Sequence, residues 1–90
     1  VLVPTRELAA QVEQVAARLA RPFPWLVCGR LTGGEKRKAE KARLRKGVVL
    51  LVATPGRLLD HLEHTSALEL ASCSALVLDE ADRLLDLGFE

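Results

Sequence analysis

Aromatic side chains are scarce in these 90 residues, with one tryptophan, two phenylalanines and no tyrosine, 3% of the chain. Stacking of bases on aromatic platforms is therefore a poor candidate for any nucleic-acid contact. Cysteine is as sparse. Cys28 and Cys73 lie far apart, giving neither a C-x-x-C metal pair nor a disulfide framework, and leaving reduced thiols and an intracellular location as the default. No apolar run approaches the roughly 20 residues of a membrane span. No basic start followed by an apolar stretch and a small-residue cleavage site marks a secretory signal. A dominant charge is missing too, since thirteen Lys+Arg against twelve Asp+Glu leave a net +1.

What is present reads as one small globular unit, 49% hydrophobic and 28% charged. The even charge total hides an uneven layout. Seven of the basic residues and two of the acids lie between Glu35 and Lys46, so that segment carries +5 and the remainder −4. The chain starts at Val1 inside an apolar run and stops at Glu90 just after a predicted helix, so it reads as a piece of a longer protein.

Three apolar runs share one layout. Val1–Val3 leads into Pro4-Thr5-Arg6-Glu7, Val48–Ala53 into Thr54-Pro55-Gly56-Arg57, and Ala75–Leu78 into Asp79-Glu80-Ala81-Asp82. Val- and Leu-rich runs without polar alternation fit strands buried on both faces of a parallel sheet, and Trp25–Leu31 supplies a fourth. Between them, Leu8, Val12, Val15 and Leu19 form one helical stripe ended by Pro22 and Pro24. Leu58, Leu59 and Leu62 mark a second helix, with Thr54 as its cap and Pro55 in its first position. Glu35–Arg45 predicts a surface helix whose apolar side is Ala39, Ala42 and Leu44. Strand–helix alternation gives an α/β fold with a parallel sheet of about four strands.

Ligands of open parallel sheets bind outside the carboxyl ends of the strands, where the three polar tetrads fall. An acid such as Asp79 at a strand end can hold Mg²⁺ through water, and a neighbour such as Glu80 can orient a water attacking a phosphate. On spacing alone, Asp79 as a helix cap with Glu80 and Asp82 in the first turn accounts for the pattern equally well. Thr54-Pro55-Gly56-Arg57 suits a phosphate site at a helix start, with Arg57 able to grip two oxygens. Taken alone, the tetrad is better accounted for by a plain strand-to-helix turn with an exposed arginine. Thr5 and Arg6 repeat this pattern, and Gly33-Gly34 admits a close backbone approach or simply a turn. The basic segment is a solvated helix face or a sequence-independent contact for a polyanion. His61 and His64 share a helix face but lack a third metal ligand, and Trp25 reads as a packing residue. Gly29–Lys36 only approximates a phosphate-cradling loop, because Glu35 stands where the lysine belongs.

In order and approximate spacing, PTRELA, the Gly33-Gly34 pair, TPGR and DEAD resemble the DEAD-box RNA helicases, from Pro4 to the DEADRLLDLGFE ending. The resemblance implies a partial RecA-like sheet of the P-loop NTPase type flanked by helices. Residues 1–90 would be an incomplete N-terminal helicase ATP-binding domain, with the phosphate loop upstream and the second helicase domain downstream. It implies ATP and Mg²⁺ as cofactors, with Asp79 holding Mg²⁺ through water, Glu80 positioning the hydrolytic water and Asp82 coupling hydrolysis to domain closure. Thr5, Arg6, Gly33, Gly34, Thr54, Gly56 and Arg57 would line RNA along its sugar–phosphate backbone, with little sequence preference. The stretch GGEKRKAEKARLRKG looks like the subgroup associated with ribosome assembly, which implies a nucleolar address and pre-ribosomal protein partners. The 90 residues alone are expected to be inactive. Two rivals remain: a related ATPase acting on DNA, and a non-enzymatic RNA-binding scaffold.

Overall fold

The computed structural model describes residues 1–65 and 73–79. Five elements follow in order: α1 (Arg6–Ala20), β1 (Cys28–Leu31), α2 (Arg37–Lys46), β2 (Leu50–Ala53) and α3 (Pro55–His64). Thr5, in extended backbone, starts α1, and its hydroxyl oxygen accepts a hydrogen bond from the Leu8 amide at 3.2 Å. Pro22, which cannot donate, lies just beyond the other end.

β1 and β2 pair in parallel, with Cys28 opposite Leu50 and Leu31 opposite Ala53. Leu2 extends the pairing as parallel bridges to Ala53 and to Leu78. The Val3 amide donates to the Ala53 carbonyl at 3.0 Å, and the Leu2 amide to the Val77 carbonyl at 2.8 Å. Segments 28–31, 50–53, 1–3 and 77–79 therefore lie side by side in that order, all parallel. Of the four expected strands, two run as four-residue strands and two reduce to bridges. β1 begins at Cys28 rather than Trp25 because the Leu26 and Val27 amides are spent on turns, bonding the Phe23 and Trp25 carbonyls.

Side chains alternate between two apolar layers. Val3 and Val52 pack with Ala9, Leu8 and Val12 of α1 on one face. Leu31 and Ala53 pack with Leu44 of α2 and Leu58 of α3 on the other. Coverage of both faces explains the unbroken apolar runs. Fully burying Leu31 or Val52 contributes about 1.5–3 kcal/mol each.

Four expectations need correction. Along the α1 stripe, Val15 and Leu19 stay 55% and 71% exposed, lining an open apolar hollow with Val1, Leu26 and Leu50. The 15-residue helix, about 22 Å long, overshoots strands of about 13 Å. On α2, Ala39 and Ala42 are exposed, and the side chains turned inward are Glu40 and Leu44, one turn apart. Trp25 is 67% exposed and tilts over Phe23, ring centroids 6.0 Å apart. Leu76–Leu78 is exposed rather than buried, because among the described residues it meets the sheet only through segment 1–3. No helix among the described residues is long and apolar enough to cross a membrane.

Candidate nucleic-acid interface

Parallel register places the carboxyl ends of all four extended segments on one edge. Thr5 and Arg6, Thr32–Gly34, Thr54–Arg57 and Asp79 therefore share that edge. Every one of these loops opens a helix or ends a bridge there, so backbone donors and side chains converge without help from a long loop.

Two glycines come against two arginines. A β-carbon built on Gly33 would meet Arg57 Cδ and Nε at 3.9 Å, and one on Gly34 would meet Arg6 Cδ at 3.9 Å. Gly33 has φ of +80°, a left-handed conformation in which other residues are strained. A β-carbon on Gly56 would have no neighbour within 4 Å, so the fold itself does not require glycine there.

The two helix starts differ. Thr5 caps α1 through its hydroxyl, whereas Thr54 makes no side-chain cap bond to α3. Pro55 has no amide hydrogen. Among the described residues the Gly56 and Arg57 amides have no acceptor, so two donors at the positive end of α3 face outward. Arg6 is exposed, and its guanidinium forms no ion pair or hydrogen bond among the described residues.

Arg57 behaves differently. Its Nε donates to Glu40 Oε1 at 2.6 Å, Nη1 to Asp60 Oδ2 at 3.3 Å and Nη2 to the Glu35 carbonyl at 3.3 Å. Three of its five N–H donors are thus committed within the chain, leaving one on each terminal nitrogen for a ligand.

Sequence reasoning missed the residue beneath this surface. Glu40 is fully buried, and its Oε2 accepts from the Thr32 and Gly33 amides at 3.1 and 3.3 Å. Its Oε1 also meets His61 Nε2 at 2.8 Å, while His61 Nδ1 meets Thr65 Oγ1 at 2.7 Å. A carboxylate only accepts, so Nε2 carries a proton. Burial pushes the Glu40 carboxyl up, but the bonds from His61, Arg57 and the two amides outweigh it and hold the group below its ordinary value. The available signal was a lone acid one turn before the only leucine of a lysine-rich helix. His61, read beside His64 as a weak metal pair, is buried in this network, whereas His64 lies exposed against Asp60.

The basic face of α2 is partly internally paired. Arg37 bonds Asp60 and Arg43 bonds Glu35 bidentately. Gly29 belongs to a packed strand, where a β-carbon would meet Val48 Cγ2 at 3.0 Å, so Gly29–Lys36 forms no phosphate cradle. Asp79 is half-buried, its amide donating to the Leu2 carbonyl at 3.0 Å and its carboxylate without a partner among the described residues. Glu80 and Asp82 lie outside the described residues.

Similarity to known proteins extends over the whole chain. The profile of the DEAD/DEAH box helicases matches residues 1–90. ATP-dependent RNA helicase DBP7 of Gibberella zeae is 63% identical over the whole chain, which spans 12% of that protein's length. A human protein named ATP-dependent DNA helicase DDX31 is 59% identical over the same 90 residues, 11% of its length. The crystal structure of the yeast DEAD-box splicing factor Prp28 superposes with a TM-score of 0.89 at 37% identity, covering 99% of this chain and 20% of Prp28. A hypothetical ATP-dependent RNA helicase from Sulfolobus tokodaii gives 0.87 at 34%, covering 98% of this chain and 26% of that one.

Proposed function

The chain belongs to the DEAD/DEAH box helicase family, and on that premise we propose that it forms the RNA-gripping edge of the first RecA-like domain of an ATP-dependent RNA helicase. The observation that carries this reading is the convergence of Arg6, Gly33, Gly34, Gly56 and Arg57 beside two outward-facing amides. Arg6 and the Gly56 and Arg57 amides offer donors to phosphate oxygens, and the three glycines let the ligand backbone come close. The Thr5 and Thr54 hydroxyls can reach phosphate or a ribose 2′-hydroxyl, the group that separates RNA from DNA. Such contacts grip the sugar–phosphate chain without reading bases.

The ATP side rests on Asp79. A half-buried carboxylate without a protein partner among the described residues, at the end of an extended segment, is a hard oxygen donor suited to the water shell of Mg²⁺. Bound Mg-ATP supplies the phosphoanhydride whose hydrolysis drives the cycle. Glu80 would orient the attacking water and Asp82 would couple hydrolysis to closure onto a second domain.

The test is RNA-stimulated ATP hydrolysis by the full-length protein beside its Glu80→Gln variant. The reading expects stimulated turnover in the wild type and its loss in the variant, with RNA and ATP binding kept. RNA binding without turnover across several RNAs would instead favour a scaffold. The human relative's name favours DNA as a second reading, so single-stranded DNA of the same sequence forms a parallel arm. Stimulation by DNA equal to that by RNA would support it. We extend the proposal to ribosome assembly on the likeness of GGEKRKAEKARLRKG alone. Crosslinking in cells should then recover pre-ribosomal RNA from the nucleolus, and recovery of other RNAs only would remove this extension.

A further inference from the structure

We propose that Glu40 is a positioning residue that locks the Gly33–Gly34 loop and Arg57 into one RNA-contacting surface. The inference rests on the reading of this edge as an RNA contact, and concerns how two of its parts are held in register. Glu40 belongs to α2, yet each of its oxygens serves a different neighbour. Oε2 takes the Thr32 and Gly33 amides of the loop after β1, and Oε1 takes Arg57 and His61 of α3. A carboxylate offers about four acceptor sites, and four donors fill them here. With no acceptor left and no exposed surface, Glu40 cannot touch RNA and acts only through the groups it holds.

The consequence is mutual. The Gly33 amide turned inward leaves that residue's Cα face against the Arg57 side chain, 3.9 Å from where a β-carbon would sit. The Arg57 guanidinium, anchored through Nε, presents its terminal nitrogens beside the same loop. His61, itself held by Thr65, braces the carboxylate from behind. One buried side chain thus sets the spacing of two contact elements that lie 24 residues apart, from Gly33 to Arg57.

Glu40→Gln separates this role from simple packing. The amide keeps the shape but has one acceptor oxygen, so an –NH₂ group must face either the two loop amides or Arg57 and His61. Either the loop loses its two amide bonds, or Arg57 loses its shortest one and keeps only the 3.3 Å bonds to Asp60 and the Glu35 carbonyl. In RNA-stimulated ATP hydrolysis by the full-length protein, the RNA concentration for half-maximal stimulation should rise roughly tenfold. Turnover at saturating RNA and the KM for ATP should stay within about twofold. A purely structural role would lower turnover in proportion to the folded fraction and leave the RNA requirement unchanged, and that outcome would overturn the proposal. If Glu40→Gln does not accumulate as folded protein, Glu40→Asp keeps the charge but is one methylene too short to hold both sides. It should show the same split, and an unchanged RNA requirement in that variant overturns the proposal too. A wild-type protein that neither binds RNA nor responds to it would remove the underlying reading, and this inference with it.

Discussion

Replacing Gly56 by alanine sets the stability of the chain against its grip on a ligand. Gly56 is the second residue of α3, in helical backbone, and a β-carbon there meets nothing within 4 Å. Alanine at a helical position is favoured over glycine by about 0.5–1 kcal/mol. For a domain of roughly 150–250 residues that raises the melting temperature by about 1–4 °C. The space an added methyl would fill is the space through which a phosphate must approach the Gly56 and Arg57 amides. Loss of a charge-assisted hydrogen bond from one of them costs about 1.5–3 kcal/mol, or roughly ten- to a hundredfold in affinity. The assay pairs a thermal melt of the full-length protein with fluorescence anisotropy of a labelled single-stranded RNA, in the presence of a non-hydrolysable ATP analogue. Gly56→Ala should be more stable and bind RNA more weakly. A variant that is more stable and binds RNA as well as the wild type would refute the placement of RNA at the start of α3. A less stable variant would refute the open space itself.

Gly33→Ala, at φ +80°, should destabilise by about 1–2 kcal/mol in urea titration, whereas Gly34→Ala, whose β-carbon meets only ordinary contacts, should stay within about 0.5 kcal/mol. Arg6→Ala should leave the melting temperature unchanged, weaken binding alike for all RNA sequences and reduce the salt slope by about one ion. Arg57→Ala, in contrast, should lower both stability and affinity, because its guanidinium also satisfies buried Glu40. Glu40 has a lowered pKa in the folded protein, so its stabilisation is present above the ordinary value of 4.5 and is lost as pH falls below it towards the folded-state value. Urea midpoints followed downward from about pH 6 should therefore drop more steeply in wild type than in Glu40→Gln, and parallel curves would count against the ionised network.

Much of the fold was legible because parallel strands covered on both faces leave unbroken apolar runs, as at Val48–Ala53, and because proline and threonine punctuate helix starts. The strand-end placement of Thr5, Arg6, Gly33, Gly34 and Thr54–Arg57 followed from the same pattern. What was hidden depends on contacts distant in sequence. Glu40 looks like one acid among lysines, and only folding shows it meeting Thr32, Gly33, Arg57 and His61. That Arg57 is anchored while Arg6 has no partner among the described residues is equally invisible in two similar tetrads. The exposure of Val15, Leu19 and Trp25 was missed because periodicity reports which side of a helix is apolar, not how far the sheet beneath it extends.

The central position of residues 1–3 has a consequence for biosynthesis. Leu2 pairs on one side with Ala53 of β2 and on the other with Leu78, so this segment is completed by one that lies 76 positions later in the chain. At a translation rate of about 5–20 residues per second, the nascent chain holds Val1–Val3 without its final partner for roughly 4–15 s. During that interval an apolar segment with unsatisfied backbone groups is available to chaperones and to other chains. The longer the stretch between residues 3 and 77 takes to be translated, the longer that exposure lasts.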